Sequence, residues 1–369
     1  MIAEILLLVI SFLILLSLGV PVAWSIGISC LLTLAVSIDS LAAFTTMAQR
    51  MATGLDSFSL LAIPFFILAG QIMNQGGIAH RLINFAKALI GSMPGGLIYV
   101  NVIAAMLFGA ISGSAVAAAS AIGGILGPPM EKEKYSKEFG AAINVTASTT
   151  GLIIPPSNVL IVYSLASGGV SIASLFLAGY IPGILMGLAL MLVAAVWIKK
   201  KKYPPGEKTS AKKIATTFLD ALPSLLLLVV VIGGIVSGIF TATEASGIAV
   251  LYTLILAIIY REINLNKLHK IFLSSVVTTS IVLLLIATSM GMSWVMSFEN
   301  IPQTVSDALL GLSDNKYVIL IIINLLLLFV GTFMDMTPAI LIFTPIFLPI
   351  MKSLGLDPVH FGIIMVMNL

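Results

Sequence analysis

Runs of about 20 apolar residues follow one another along this chain, and few folds can absorb them. A helix rises 1.5 Å per residue, so about 20 such residues cross roughly 30 Å of hydrocarbon. Runs of this kind fall near 2–20, 22–38, 57–75, 174–198, 217–239, 245–260 and 271–296. Only 9% of the residues are charged and 59% are hydrophobic, whereas soluble domains carry about 25% charged residues. A soluble globule has too little polar material here to cover its surface. The chain therefore reads as an all-α integral membrane protein, with the lipid bilayer as its first partner. Residues 2–20 lack a basic start and carry Glu4, which argues against a signal peptide.

Several chemistries drop out early. The net charge of +3 sits in a few loops and gives no nucleic-acid signal. Cys30 is the one cysteine, so neither an intrachain disulfide nor a thiolate metal site is available. His80, His269 and His360 lack the i+3 or i+4 partner that a metal site wants.

Basic residues orient the spans. The segment 199–213 holds seven lysines, including the run Lys199–Lys202, and the positive-inside rule makes it cytoplasmic. Propagating that choice makes 76–96, 131–138 and 261–270 cytoplasmic as well. Together the four segments hold 15 of the 18 Lys and Arg residues, leaving Arg50, Lys316 and Lys352 outside. The N-terminus is then extracytoplasmic. Trp24, Trp197 and Trp294 fall near span ends, as interfacial belt residues do.

Two apolar pairs, 97–112 with 115–130 and 317–330 with 338–350, are each joined by a few small polar residues. Those joints are too short to emerge from the headgroups, so the pairs read as re-entrant hairpins ending in Pro128-Pro129 and Pro349. Non-helical backbone at that depth must be buried in protein or line a wet cavity. Each hairpin is followed by a charged loop and then a Phe-Gly pair, Phe139-Gly140 and Phe361-Gly362, opening a run that contains Asn144 or Asn368. The first hairpin enters from the cytoplasm and the second from outside. Like units of opposite orientation describe a polytopic bundle with inverted repeats, two re-entrant hairpins and broken helices.

The chain resembles the large membrane subunit of TRAP transporters, the tripartite ATP-independent periplasmic uptake systems. The resemblance is carried by Pro64-Phe65-Phe66-Ile67-Leu68-Ala69-Gly70, Ser112-Gly113-Ser114-Ala115 and Gly151-Leu152-Ile153-Ile154-Pro155-Pro156-Ser157. It continues in Phe240-Thr241-Ala242-Thr243-Glu244-Ala245 and Asp335-Met336-Thr337-Pro338. It implies an elevator-type ion transporter fold and Na⁺-coupled uptake of small organic acids across the bacterial inner membrane. It also implies two partners, a small four-helix membrane subunit and a periplasmic substrate-binding protein. No cofactor is expected beyond the coupling ion. In this family the second broken helix continues past Phe361-Gly362 into a Pro-Pro segment and a last span. The chain ends before either, so on this reading it is C-terminally truncated.

The polar breaks are the expected sites. An interrupted helix frees carbonyl oxygens at the negative end of its dipole, suited to a hard cation. Thr149, Thr150 and Gly151 are expected to supply them where Pro155 and Pro156 prevent the helix from re-forming, faced by Ser112, Gly113 and Ser114. In the second half Gly331, Thr332, Asp335, Met336 and Thr337 take the same role. Asp335 is expected in an apolar setting, where a charge costs at least about 2.5–3.5 kcal/mol unless compensated. The N-H groups after Pro156 face the other way in charge, so Pro155, Pro156, Ser157 and Asn158, with Asn144, are expected to hold a substrate carboxylate. Glu244 reads as half of a capping box.

The organisation expected is a scaffold of spans and a cytoplasmic arm helix (1–96) and a first transport segment (97–173). Central scaffold spans (174–316) and a second transport segment (317–369) follow. Two readings compete with a binding-protein-dependent system. One is a Na⁺/dicarboxylate symporter of the same inverted architecture without a binding protein. The other is an intramembrane serine hydrolase with Ser112 as nucleophile, which would need a base within reach of its hydroxyl. No ring of charge or repeated filter sequence suggests a channel.

Overall fold

A computed structural model describes residues 2–369, apart from Lys202, Pro204, Glu207, Lys208, Asp314 and Phe333, and gives the backbone alone at Ile2 and Ile111. Two of the seven lysines of 199–213, Lys202 and Lys208, thus lie outside the described residues. In chain order the helices are α1 (Ile2–Ser17), α2 (Val22–Ser37), α3 (Ser40–Gly54), α4 (Ala62–Gln75), α5 (Ile78–Ile90) and α6 (Gly96–Ser112). Then come α7 (Ala115–Lys132), α8 (Lys137–Ile153), α9 (Asn158–Ala166), α10 (Ile172–Lys201), α11 (Ala211–Val236) and α12 (Ala242–Ile259). The last five are α13 (Leu265–Phe298), α14 (Ile301–Leu310), α15 (Lys316–Gly331), α16 (Met336–Ser353) and α17 (Pro358–Asn368). Among the described residues no β-strand is formed.

Local chemistry sets many of these boundaries. Side chains of Asp39, Ser136, Ser210, Asn315 and Asp357 accept hydrogen bonds from first-turn N-H groups, which satisfies donors that a helix start leaves open. Glu244 and Thr241 form the expected capping box: Thr241 N donates to Glu244 Oε2 at 2.8 Å and Glu244 N to Thr241 Oγ1 at 3.2 Å. Among the described residues six helices are long and apolar enough to cross a membrane, and α8 with α9, bent by 51° at their break, makes a seventh if the pair is counted as one span. In α10 only 22% of the apolar window is buried, and Ile181, Leu192 and Val193 are exposed. Such a face needs lipid around it.

Two compact units make up the chain. One comprises Met1–Leu60, Ile161–Ser171 and Val277–Leu369; the other comprises Leu61–Leu160 and Ile172–Val276. In the second unit, the hairpin α6–α7 lies against α8, while α10 packs on both α6 and α8. Here α4 pairs with α12, and the arm helix α5 with α11 and α6. Arg81 fixes that arm: Nε donates to Asp220 Oδ1 at 3.1 Å, and the guanidinium lies 3.5 Å from the centre of the Tyr260 ring. In the first unit α1, α2 and α3 pack in sequence, and the second hairpin α15–α16 lies against α17. Down α2, Ser29 Oγ donates to Ser25 O at 2.6 Å and Thr33 Oγ1 to Ser29 O at 2.9 Å, so buried hydroxyls are satisfied within the helix.

The stretches 39–54 and 301–310, which lie outside every expected span, form the helices α3 and α14. Two expectations about elements change. Pro128, Pro129 and Pro349 do not end the hairpins, because α7 runs on to Lys132 and α16 to Ser353. Thr149, Thr150 and Gly151 are not the break in α8: they form its last turn, and the chain leaves the helix only at Ile154.

Candidate functional site

The end of α8 is held by close backbone approach. Gly151 meets Gly109 of α6 so tightly that a Cβ on either would run into the other's backbone. Gly179 of α10 meets the Ile153 carbonyl as closely, and Gly183 makes room for the Ile154 side chain. With the helix clamped on both sides, Pro155 and Pro156 sit buried in a cis-linked break before α9 resumes at Asn158. Ser157 uses its hydroxyl twice, donating to the freed Leu152 carbonyl and accepting from Leu160 N at 3.3 Å. Thr150 Oγ1 donates to Ala147 O at 2.6 Å and Thr149 Oγ1 to Thr146 O at 2.8 Å. Both hydroxyls keep their oxygens as acceptors.

The first hairpin turns over Gly113 and Ser114. Gly113 takes φ +59°, a left-handed conformation that glycine adopts without a Cβ penalty. Ser114 caps α7 by accepting from Ala117 N at 3.3 Å, and the Ser112 hydroxyl lies 3.4 Å from Ser114 N. Gly70 of α4 backs directly onto Ser112, which is 2% exposed. A Cβ placed on Gly113 would stand 3.2 Å from Asn158 Nδ2 and 3.3 Å from Asn158 N. The hairpin tip and the restart of the broken helix are therefore neighbours. At that junction Asn158 Oδ1 is buried and has no hydrogen-bond partner. A buried acceptor without a donor is costly, and it matches the oxygen chemistry of a hard cation.

Asn144 does not join this group. It precedes Ile154 by ten residues, about 15 Å along a helix. Its Nδ2 donates to Ala119 O of α7 at 2.8 Å, and its Oδ1 accepts from Asn101 Nδ2 of α6 at 3.3 Å. It thus bridges the hairpin to α8, beside a cavity of about 330 Å³ whose lining includes Gly123, Glu131 and Tyr135. Burial, with Glu133 beside it, pushes the Tyr135 hydroxyl up to about 12, so it stays neutral at ordinary pH.

In the other unit the second hairpin turns between Gly331 and Met336. Thr332 Oγ1 donates to Phe329 O at 2.7 Å. Asp335 stands at the N-cap of α16 without a side-chain cap bond, and it is exposed from the protein rather than sunk among apolar side chains. Met336 and Thr337 are half-buried in the first turn. Gly331 faces Leu369, where an added Cβ would lie 3.3 Å from the carbonyl oxygen. Asn368 Nδ2 donates to Asn324 O at 2.9 Å and to Asn324 Oδ1 at 2.7 Å. In each unit, then, an Asn–Asn bridge ties the hairpin's first helix to the helix that follows the hairpin. Asn101 and Asn324 were not anticipated; their signal in the sequence is a single amide inside an otherwise apolar hairpin helix.

Paired hairpins, a helix broken at Pro-Pro, and polar groups gathered at the breaks are the architecture of a polytopic membrane transporter. Among the described residues no histidine bonds to Ser112, whose hydroxyl engages its own turn. A family model for the DctM component of tripartite ATP-independent periplasmic transporters matches residues 9–369. The chain belongs to that family. It is 60% identical over 359 residues to the uncharacterized protein YgiK of Salmonella typhimurium, covering 97% of this chain and 82% of that one. It is 39% identical to the 2,3-diketo-L-gulonate TRAP transporter large permease protein YiaN of Escherichia coli, covering 95% and 82%. The crystal structure of the Alcanivorax borkumensis YdaH transporter superposes with a TM-score of 0.62 over 89% of this chain and 77% of that one. At 15% identity that likeness concerns the fold.

Proposed function

We propose that this TRAP large permease couples Na⁺ entry to uptake of small organic acids, with substrate delivered by a periplasmic binding protein. The observation that carries the reading is the junction of the first hairpin tip with the restart at Asn158, where a buried amide oxygen lacks a donor. Na⁺ would draw on that oxygen together with the hydroxyl oxygens of Ser112 and Ser114 and the last carbonyls of α8, Thr149, Thr150 and Gly151 among them. Gly113 keeps the tip close enough to share it. In the second hairpin Gly331, Thr332, Asp335, Met336 and Thr337 would take the equivalent part, Asp335 compensating a cation's charge.

The substrate's carboxylate would meet the N-terminal end of α9, where Pro155, Pro156 and Ser157 lead into the N-H groups of its first turn. The relative YiaN is named for 2,3-diketo-L-gulonate, a sugar acid, which suits such a site. The hairpins and broken helices would move as the transport part against the remaining spans, with α5 as a bracing arm. A small four-helix membrane subunit would complete the scaffold. With the basic segments on the cytoplasmic side, the N-terminus would be periplasmic.

The test is uptake into proteoliposomes holding the permease, its membrane partner and the binding protein. Uptake driven by an inward Na⁺ gradient, and absent without the binding protein, supports the reading. Uptake indifferent to Na⁺ overturns the coupling; uptake without the binding protein favours a stand-alone Na⁺/carboxylate symporter.

A further inference from the structure

Three lysines from three separate helices line one cavity of about 910 Å³: Lys87 near the end of α5, Lys132 at the end of α7 and Lys213 in the first turn of α11. Among the described residues Glu133 is the one acid in its lining. Among the described residues none of the three lysines forms an ion pair. Thr209 and Thr217 add hydroxyls and Asn84 an amide. A helix start favours acidic side chains, because its dipole is positive there. The first turn of α11 has none and carries Lys212 and Lys213 instead. Local helix energetics do not explain that choice, whereas an anion in the cavity would offset both the lysines and the dipole.

The same α5–α6 connection borders a second cavity of opposite character. Gly91 lines the lysine cavity, while Ile90 and Met93 line an apolar groove of about 530 Å³ that continues along Ile103 of α6 and Leu188 and Met191 of α10. This groove is wholly apolar but for the Tyr99 hydroxyl, and of the six long apolar helices found among the described residues α10 is the one least covered by protein. A cationic cavity and an alkyl-lined groove sharing one turn match a ligand with an anionic head and a hydrocarbon tail.

We propose that this paired site binds an anionic phospholipid, its phosphate among Lys87, Lys132 and Lys213 and one acyl chain in the groove beside Met93 and Leu188. A soluble phosphate would satisfy the lysines and leave the groove unused. Lipid held there would tie the arm helix, the first hairpin and α11 together.

The experiment is native mass spectrometry of the purified chain in detergent, titrated with phosphatidylglycerol, with phosphatidylcholine and, separately, with inorganic phosphate. Phosphatidylglycerol is expected to be retained in preference to phosphatidylcholine, and inorganic phosphate not to displace it. Each of Lys87→Gln, Lys132→Gln and Lys213→Gln should weaken retention by about five-fold, since a surface lysine contributes about 1 kcal/mol to anionic lipid binding. Leu188→Trp, which fills the groove and leaves the lysines in place, should lower retention of both lipids. Elution by size exclusion identifies any variant that has lost its fold. Equal retention of the two lipids, unchanged retention in the lysine variants, or displacement by inorganic phosphate would overturn the proposal.

Discussion

Asn158 concentrates the account at the scale of a single side chain. Its Oδ1 is enclosed without a donor, so an apolar replacement removes an uncompensated acceptor and should not destabilise the fold. Asn158→Leu is expected to leave the melting temperature unchanged or raised while Na⁺-driven uptake falls at least about ten-fold, the pattern of a functional site held at a cost to stability. A variant that melts early instead gives Asn158 a packing role. Tyr163 offers the opposite case. Fully buried, it donates from its hydroxyl to Pro358 O at 2.6 Å. Tyr163→Phe should cost about 0.5–1.5 kcal/mol through the lost hydrogen bond, seen as a lower melting temperature at unchanged ion dependence.

Among the elements, the clamp between α6 and α8 decides where the helix can break. Gly109→Val forces apart two backbones that touch through Gly151, and overpacking of this kind costs about 1–3 kcal/mol. Thermal unfolding in detergent checks it. The amide bridge should behave as a pair: Asn144→Leu alone leaves Asn101 Nδ2 unpaired, so adding Asn101→Leu should recover part of the lost stability in a double-mutant cycle. The sequence marked the neighbourhood of the break and misplaced it by a few residues, for a physical reason. Gly151 reads as a point of weakness, yet its lack of a Cβ serves contact with Gly109 inside a continuous helix. Spacing along one strand of sequence does not separate a glycine needed for conformation from one needed for packing. Pro128, Pro129 and Pro349 misled in a related way, since each helix carries its proline and runs on. The helix α3 escaped notice because Thr45, Thr46, Gln49 and Arg50 interrupt its apolar residues, leaving neither a span nor a clear stripe.

For the molecule as a whole, membrane embedding, the hairpins and the repeat were legible because they rest on hydrophobic length and chain order, which a sequence displays directly. The polar sites were legible only as segments. Asn144 and Asn158 look alike in sequence, and packing gives one a structural bridge and leaves the other with a free acceptor at the hairpin tip. The account's central claim is that this acceptor and its neighbours hold the coupling ion. Its most direct measurement is the Na⁺ dependence of substrate uptake in proteoliposomes carrying the wild-type complex or the Asn158→Leu variant. The account predicts wild-type uptake that rises and saturates with external Na⁺, and a variant that folds, assembles and barely responds to Na⁺. Equal Na⁺ dependence in the two proteins would contradict it.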